Sequence, residues 1–424
     1  MLRGIAMKCE IINVGDEILS GKTLNTNAHY ICDKLLSLNL QTRFNTVIRD
    51  DKTDIENITE LAIKRSDIII YTGGLGPTYD DFTKEVVCEK LSANLILNNE
   101  ILENIKNNFE SRGIVMSENN IKQAYIPENC TVLKNEKGTA PGFYIEAKGK
   151  IIILLPGPPK EMNNMFEKSV IPLISKLSST KIRSEIIRTI DIGESKLEEL
   201  IKDTIENYKQ ATIATYASKG KVDIRITFSS KNEQTIESLF EDIKGELNST
   251  IGDYIYSYED ESLEEVVFKK LKQNGFKIGF CESCTGGLIS SRFTKISGAS
   301  SVLDRSIVTY SNRSKIEEVG VSKETLDLYG AVSEQTAIEM AKGLLEKGDL
   351  DISVSVTGIA GPDGGTKNKP NGLVYICLAT KDDVIVEKNI YLGDREDIQN
   401  RSSNSAFNLI RKYLNKTIQS KIID

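Results

Sequence analysis

The residues best placed to do chemistry fall in two glycine-rich stretches, each directly after an apolar run. In the first, Ile68-Ile69-Ile70-Tyr71 is followed by Thr72-Gly73-Gly74-Leu75-Gly76-Pro77-Thr78-Tyr79-Asp80-Asp81-Phe82-Thr83-Lys84-Glu85. Glycines after a strand let backbone N–H groups close on a phosphate, and the N-terminus of a following helix favours negative charge. Asp80 and Asp81 are expected to open that helix. Carboxylates there repel a bare phosphate, so they make sense with a hard cation such as Mg²⁺ in between. The segment reads as a metal-assisted phosphate or diphosphate site. No Gly-Lys-Ser/Thr follows the glycines, which excludes a Walker A loop. A Gly-Pro turn before a solvated, acidic helix start is the plain alternative.

The second stretch, Cys281-Glu282-Ser283-Cys284-Thr285-Gly286-Gly287, stands where a strand is expected to turn into a helix, a place suited to an exposed nucleophile. Ser283 falls at the turn, with Thr285 and the amides of Gly286 and Gly287 available to an oxyanion or phosphate. Serine needs a base to react. His29 is the only histidine of the chain and lies in the other half. The base is therefore sought in a lysine whose burial lowers its pKa. Lys315, shortly after Thr309-Tyr310-Ser311-Asn312, is the candidate, with Tyr310 as a hydroxyl relay. Thr357-Gly358-Ile359-Ala360-Gly361-Pro362 is another glycine-rich turn, and Arg395 heads the last helix, where it suits a phosphate clamp. Two plain readings stand beside this one. Ser283 fits an ordinary helix N-cap, and Cys281-x-x-Cys284 has redox spacing but no thioredoxin-like context and no second pair for zinc.

Elements must hold these residues in place. Over the first ~170 residues strand and helix patterns alternate, which implies a mostly parallel sheet with ligands at the C-terminal strand ends. Strands are expected at Cys9–Val14, Thr42–Ile48, Ile68–Tyr71 and Ile151–Leu155. Gly15, Asp50, Gly73 and Gly157 then all fall at strand ends. Ala28, Ile31, Cys32, Leu35 and Leu36 mark one helix face, with His29 just off it, and a second helix runs from Asp54 to Lys64. Residues 173–258 change character: no glycine-rich loop, and alternating strand pattern such as Val222–Phe228. From Ser262 the alternation restarts, with a helix at Leu263–Gln273 and strands at Lys277–Phe280, Ile307–Tyr310, Ile352–Val356, Leu373–Leu378 and Val384–Leu392.

A length of 424 residues allows two or three domains, and the apolar and charged fractions of 39% and 27% are ordinary for globular proteins. No apolar run approaches the ~20 residues needed to span a bilayer. The net charge of −7 argues against broad nucleic-acid binding. Seven scattered cysteines, an odd number, suit a reducing cytoplasm. Residues 1–6 are expected to be an extension before Met7.

From Met7 onward the chain resembles the CinA family, named for competence and damage inducibility. In the first half the resemblance rests on Gly15-Asp16-Glu17-Ile18-Leu19-x-Gly21, Asn25-Thr26-Asn27, Asp50-Asp51, Thr72–Glu85, Gly138-Thr139-Ala140-Pro141-Gly142-Phe143 and Leu155-Pro156-Gly157-Pro158-Pro159. In the last part it rests on Glu282–Gly287, Thr309–Asn312, Lys315, Thr357–Pro362 and Gly393–Arg395. It implies two three-layer α/β domains, a molybdopterin-binding-like one at 7–172 and an amidase one at 259–424, joined by a small α+β (KH-like) domain at 173–258. It further implies two activities: metal-dependent cleavage of ADP-ribose to AMP and ribose 5-phosphate, and deamidation of nicotinamide mononucleotide to nicotinate mononucleotide and ammonia. By the resemblance, Asp50 and Asp81 hold Mg²⁺ or another divalent ion, and Gly73, Gly74, Gly76 and Asp80 bind the diphosphate. Ser283 attacks the carboxamide and Lys315 is its base. Tyr310 and Thr357 assist; Thr285, Gly286, Gly287 and Arg395 bind the nucleotide. The amidase is expected to need no cofactor, and the protein to be a cytoplasmic homodimer. The middle domain has 12 basic and 14 acidic residues between Lys176 and Asp253. It also lacks a Gly-x-x-Gly clamp, Ser218-Lys219-Gly220-Lys221 being nearest, so nucleic acid is not an expected partner.

Overall fold

The structure, a computed structural model, describes residues 7–38, 40–177, 181–218 and 220–423. The expected extension at 1–6 and Lys219 of the nearest clamp-like stretch lie outside the described residues. The chain divides into two compact units: residues up to Ser184 with Thr227–Ser238, and Glu185–Ile226 with the residues from Leu239 on.

The first unit is built on a six-stranded sheet in the order β2-β1-β3-β8-β7-β6. Its strands are β1 (Cys9–Val14), β2 (Thr42–Ile48), β3 (Ile68–Thr72), β6 (Thr131–Leu133), β7 (Gly142–Ala147) and β8 (Lys150–Leu155). β4 (Leu95–Leu97) and β5 (Tyr125–Pro127) form a separate ribbon. β2, β1, β3 and β8 run parallel, and β7 and β6 continue antiparallel. Both faces are covered, so neighbouring residues on a strand enter different cores. Ile11, Ile68 and Ile70 join Ile31, Leu35 and Phe166 on one side, whereas Ile12, Ile69 and Tyr71 join Ile55, Val86 and Phe143 on the other. Helices α1 (Asp16–Leu19), α2 (Thr26–Ser37), α3 (Lys52–Arg65), α4 (Thr83–Leu91), α5 (Asn99–Ser111), α6 (Pro159–Met165) and α7 (Ile171–Ser175) connect the strands. Asn25 and Asp51 start α2 and α3 by accepting N–H bonds from Ala28 and Asp54, each at 3.0 Å. After β3 the helix begins only at Thr83, so Asp80 and Asp81 lie in the loop and do not open α4 as expected.

The middle segment forms β9 (Lys181–Ile190), α8 (Glu194–Asn207), β10 (Thr212–Ser218), β11 (Lys221–Ser230), α9 (Glu233–Ile251) and β12 (Ile255–Ser257), with sheet order β10-β11-β9-β12. The last segment holds the second three-layer arrangement. Its sheet runs β14 (Leu303–Val308), β13 (Ile278–Glu282), β15 (Ile352–Gly358), β16 (Leu373–Ala379), β17 (Val384–Ile390). β13 lies parallel to both β14 and β15, and β16 and β17 follow antiparallel. α10 (Leu263–Asn274) starts with a capping box, Ser262 with Glu265. α11 (Leu288–Phe293), α12 (Asn312–Val319), α13 (Lys323–Tyr329), α14 (Glu334–Glu346) and α15 (Arg395–Ile423) complete it. β14 ends at Val308, two residues before the expected boundary, which leaves Thr309 and Tyr310 beyond the strand. Among the described residues no helix is long and apolar enough to cross a membrane.

Candidate active sites

In the last segment, β13 is flanked by β14 on one side and β15 on the other, so the sheet's strand order reverses there. Crevices at the carboxyl ends of such strands are where open α/β sheets take ligands. Ser283 follows β13 directly, and its N–H is fixed to the Val356 carbonyl of β15 at 2.9 Å. α12, which follows β14 in the chain, brings in Lys315, held in a helix whose first turn is capped by Ser311. Lys315 Nζ donates to Ser283 Oγ at 3.0 Å and to the Thr309 carbonyl at 2.7 Å. The lysine is 1% exposed and the serine 7%.

Burial pulls the Lys315 ammonium below the usual lysine range, and the nearby Cys281 and Cys284 oppose this. Those thiols are themselves pushed up by burial, to about 11 and about 12. They are protonated and uncharged at neutral pH, so their opposition vanishes there and the pair is unsuited to thiolate chemistry. When the amine loses its proton, it can still donate to the Thr309 carbonyl while its lone pair takes the place of the donated hydrogen and accepts the Ser283 hydroxyl. That is the geometry of a base beside its nucleophile.

Two expectations are corrected. The Gly286 and Gly287 amides do not face a ligand: Gly286 N–H donates to the Ser283 carbonyl at 3.0 Å, and Gly287 N–H to Glu282 Oε2, also at 3.0 Å. Tyr310 is 61% exposed, and its hydroxyl accepts from Arg395 Nη2 at 2.6 Å and makes no bond to Lys315, so it is no relay in this arrangement. Thr357, buried in β15 next to the serine turn, donates its hydroxyl to the Ala331 carbonyl at 2.7 Å. Arg395 does head α15, and its other arm donates to the Gly361 carbonyl at 2.9 Å. This fixes the guanidinium between the Thr357–Pro362 turn and the residues that follow β14. Thr285 Oγ1 is buried with no partner.

The first unit places Gly15, Asp50 and Gly73 at the carboxyl ends of β1, β2 and β3, where that sheet also reverses order. Burial raises the Asp50 carboxyl to about 6; a bond from the Asp16 N–H opposes this, and the charges of Asp16, Asp81 and Glu17 add to it. Asp81 folds back onto its own loop, Oδ2 accepting the Thr78 N–H at 2.9 Å and the Thr78 hydroxyl. The Gly73 N–H donates to the Leu155 carbonyl at 3.1 Å, so it too is withdrawn from ligand binding, contrary to expectation. Among the described residues the amides of Gly74, Leu75 and Gly76 have no acceptor, and these are the ones a phosphate can use. At Gly74 no side chain fits: φ is +69° and a Cβ would stand 2.0 Å from Thr83 Oγ1. Asp80 Oδ1 is buried and unpartnered beside them.

Among the described residues no three His, Cys, Asp or Glu side chains converge as an ion-binding group. The donors present are oxygens only, and Asp50 sits desolvated among other carboxylates. That set fits a hard divalent cation held by Asp50 and Asp81, with water and substrate oxygens filling the other positions.

Three family models cover the chain: a probable molybdopterin binding domain at residues 10–176, the damage-inducible protein CinA KH domain at 184–257 and the CinA C-terminal domain at 260–414. A "putative competence-damage inducible protein" of Caldicellulosiruptor saccharolyticus is 46% identical over 406 residues, 96% of this chain and 99% of that one. The chain belongs to the CinA family. A similarly named protein of Acetivibrio thermocellus is 45% identical over 410 residues, 97% of this chain and 99% of its own. The crystal structure of competence/damage inducible protein CihA from Agrobacterium tumefaciens is 39% identical, covers 36% of this chain and 93% of its own, and has a TM-score of 0.35.

Several residues of this CinA chain that build the sites went unread in the sequence. Glu282 is fully buried, and its carboxylate accepts N–H bonds from Gly287, Ile289 and Ser290 at 3.0, 3.1 and 2.9 Å, which anchors α11 behind the nucleophile. Gln399 of α15 donates to the Cys284 carbonyl at 2.8 Å. Thr83 and Asn27 each keep a buried, unpartnered oxygen near the first glycine loop. A carboxylate directly before a Ser-x-x-Gly-Gly turn was the one available signal, for Glu282.

Proposed function

We propose that this CinA protein is a bifunctional NAD-salvage hydrolase: a nicotinamide mononucleotide deamidase in its C-terminal domain (residues 259–424) and a metal-dependent ADP-ribose pyrophosphatase in its N-terminal domain (7–172). We further propose that it works as a cytoplasmic homodimer. The observation that carries the reading is the buried 3.0 Å contact between Lys315 Nζ and Ser283 Oγ at a strand-order reversal.

In the amidase reaction the neutral Lys315 amine takes the Ser283 proton as Oγ bonds to the carboxamide carbon. Collapse of the adduct breaks the C–N bond, and Lys315 returns the proton to the departing ammonia. Water, deprotonated by the same amine, then cleaves the ester to the carboxylate and restores the serine. Among the described residues no backbone carbonyl takes the N–H groups of Cys284 and Thr285, and they follow the nucleophile directly. They, with Thr285 Oγ1, are the donors for the developing oxyanion, in place of Gly286 and Gly287. Arg395 supplies charge for the nucleotide phosphate.

In the first domain the cation, when bound, neutralises diphosphate charge. The chain's part is to present Gly74–Gly76 amides to the phosphates, to hold Asp50 and Asp81 for the ion, and to brace the loop. Lys122 does the bracing through the Thr78 carbonyl at 3.4 Å and the Asp81 carbonyl. A second reading for this half is binding of a pterin or nucleotide without turnover, favoured by the tie of Asp81 to Thr78. Incubating the pure protein with each substrate, with Mg²⁺ or with EDTA, tests both assignments. Ammonia from nicotinamide mononucleotide is expected in either condition, and AMP from ADP-ribose only with metal. No ammonia in either condition overturns the amidase; ADP-ribose retained uncleaved with Mg²⁺ favours the binding reading.

A further inference from the structure

We propose that the cleft between α5 and the Val132–Pro141 segment seats a neutral purine-type heterocycle, the base end of the nucleotide whose diphosphate lies on Gly74–Gly76. This rests on the nucleotide reading of the first domain and adds to it a base-recognition site. The cleft encloses about 720 Å³. That is within the range of about 300–1,000 Å³ typical of small-molecule sites. Its lining combines the apolar side chains of Ile101, Ile105, Val132 and Pro141 with the carboxamides of Asn104 and Asn108. The two asparagines stand one turn apart on the same helix face as Ile101 and Ile105. Among the described residues neither carboxamide has a hydrogen-bond partner. A carboxamide presents a donor and an acceptor side by side, the pattern that pairs with the N6 and ring-nitrogen edge of adenine.

Charge argues the same way. Of the three charged side chains lining the cleft, Glu136 is neutralised by Lys168, which leaves Glu100 and Lys134 of opposite sign. A neutral cleft has nothing to hold a phosphate and favours an uncharged ring. Both walls are tied to the diphosphate loop. At one, the Asn98 N–H that starts α5 donates to the Ala124 carbonyl at 2.9 Å, two residues beyond the Lys122 that braces Thr78 and Asp81. At the other, Asn135 accepts the Gly138 N–H at 2.8 Å and donates to Glu161 Oε2 at 2.7 Å. Glu161 belongs to α6, and just before that helix a Cβ on Gly157 would lie 3.6 Å from the Gly73 Cα.

The test is calorimetric titration of the full-length protein with AMP and with ribose 5-phosphate, in wild type, Asn104→Leu, Asn108→Leu and the double variant. AMP is expected to bind wild type more tightly than ribose 5-phosphate, and the double variant to lose at least about tenfold in AMP affinity. Ribose 5-phosphate binding should be unchanged, which also reports an intact fold. AMP affinity unchanged in the double variant, or an equal loss for both ligands, overturns the base site and leaves the nucleotide reading standing. Wild-type protein that binds neither AMP nor ADP-ribose overturns both.

Discussion

At the scale of single residues, Lys315 bears the most weight. Its folded-state pKa lies below the ordinary lysine value because burial disfavours the ammonium. A base must be unprotonated, so deamidation should fall as pH drops through that lowered pKa and level off above it. Lys315→Met is expected to reduce kcat by about 10²- to 10⁴-fold and to remove that acid limb from the pH–rate profile. A profile that keeps the limb in the variant assigns it to another group. Asp50 is the counterpart in the first domain. Asp50→Asn keeps the side chain's size and removes the charge that a cation needs. AMP formation at limiting Mg²⁺ should fall at least about tenfold, with a raised metal requirement. An unchanged metal titration would place the ion elsewhere.

At the scale of elements, both sites depend on loops that their neighbours hold rigid. Gly74 packs so closely on α4 that Gly74→Ala must push Thr83 aside and strain a left-handed residue. The variant should lose AMP formation while ammonia release persists, measured on one preparation. Around Ser283 the brace is aromatic: Phe280 of β13, Phe293 of α11 and Phe407 of α15 meet with ring centroids 5.6–6.2 Å apart. Phe407→Ala should cost about 3–5 kcal/mol in denaturant unfolding. Because α15 also carries Arg395 and Gln399, KM for the nucleotide should rise in this variant. A stability loss below about 1 kcal/mol would show that the cluster is not a closed core.

These elements were largely legible in the sequence. Strands with both faces buried read as apolar runs, and Gly15, Gly73 and Ser283 mark where such runs stop. What could not be read is how polar groups pair once the turns close. Nothing in the order Cys281–Gly287 says that the Glu282 carboxylate takes the Gly287 and Ile289 amides, which removes Gly287 from ligand binding. Tyr310 sits in a suggestive place in the sequence, but β14 ends early and Arg395, 85 residues on, claims its hydroxyl. Asp80 and Asp81 looked like a helix start because acidic residues favour that position. The chain instead spends the Asp81 carboxylate on Thr78, before α4 begins.

At the scale of the whole molecule, one chain carries two candidate sites with different side chains on two similar sheets. In the middle segment Gly220 is crowded: a Cβ on it would lie 3.4 Å from Asn404 and 3.5 Å from Arg401 of α15. Together with the chain's net charge of −7, this predicts filter binding of RNA that is weak and lost on raising salt. Tight, salt-resistant retention would contradict it. The central claim is that the buried serine–lysine pair is a deamidase, and ammonia release from nicotinamide mononucleotide by wild type and Ser283→Ala tests it most directly. Wild type should release ammonia in step with nicotinate mononucleotide, and Ser283→Ala should lose at least about a thousandfold in rate while still forming AMP from ADP-ribose. Ammonia released by Ser283→Ala at the wild-type rate would contradict the account.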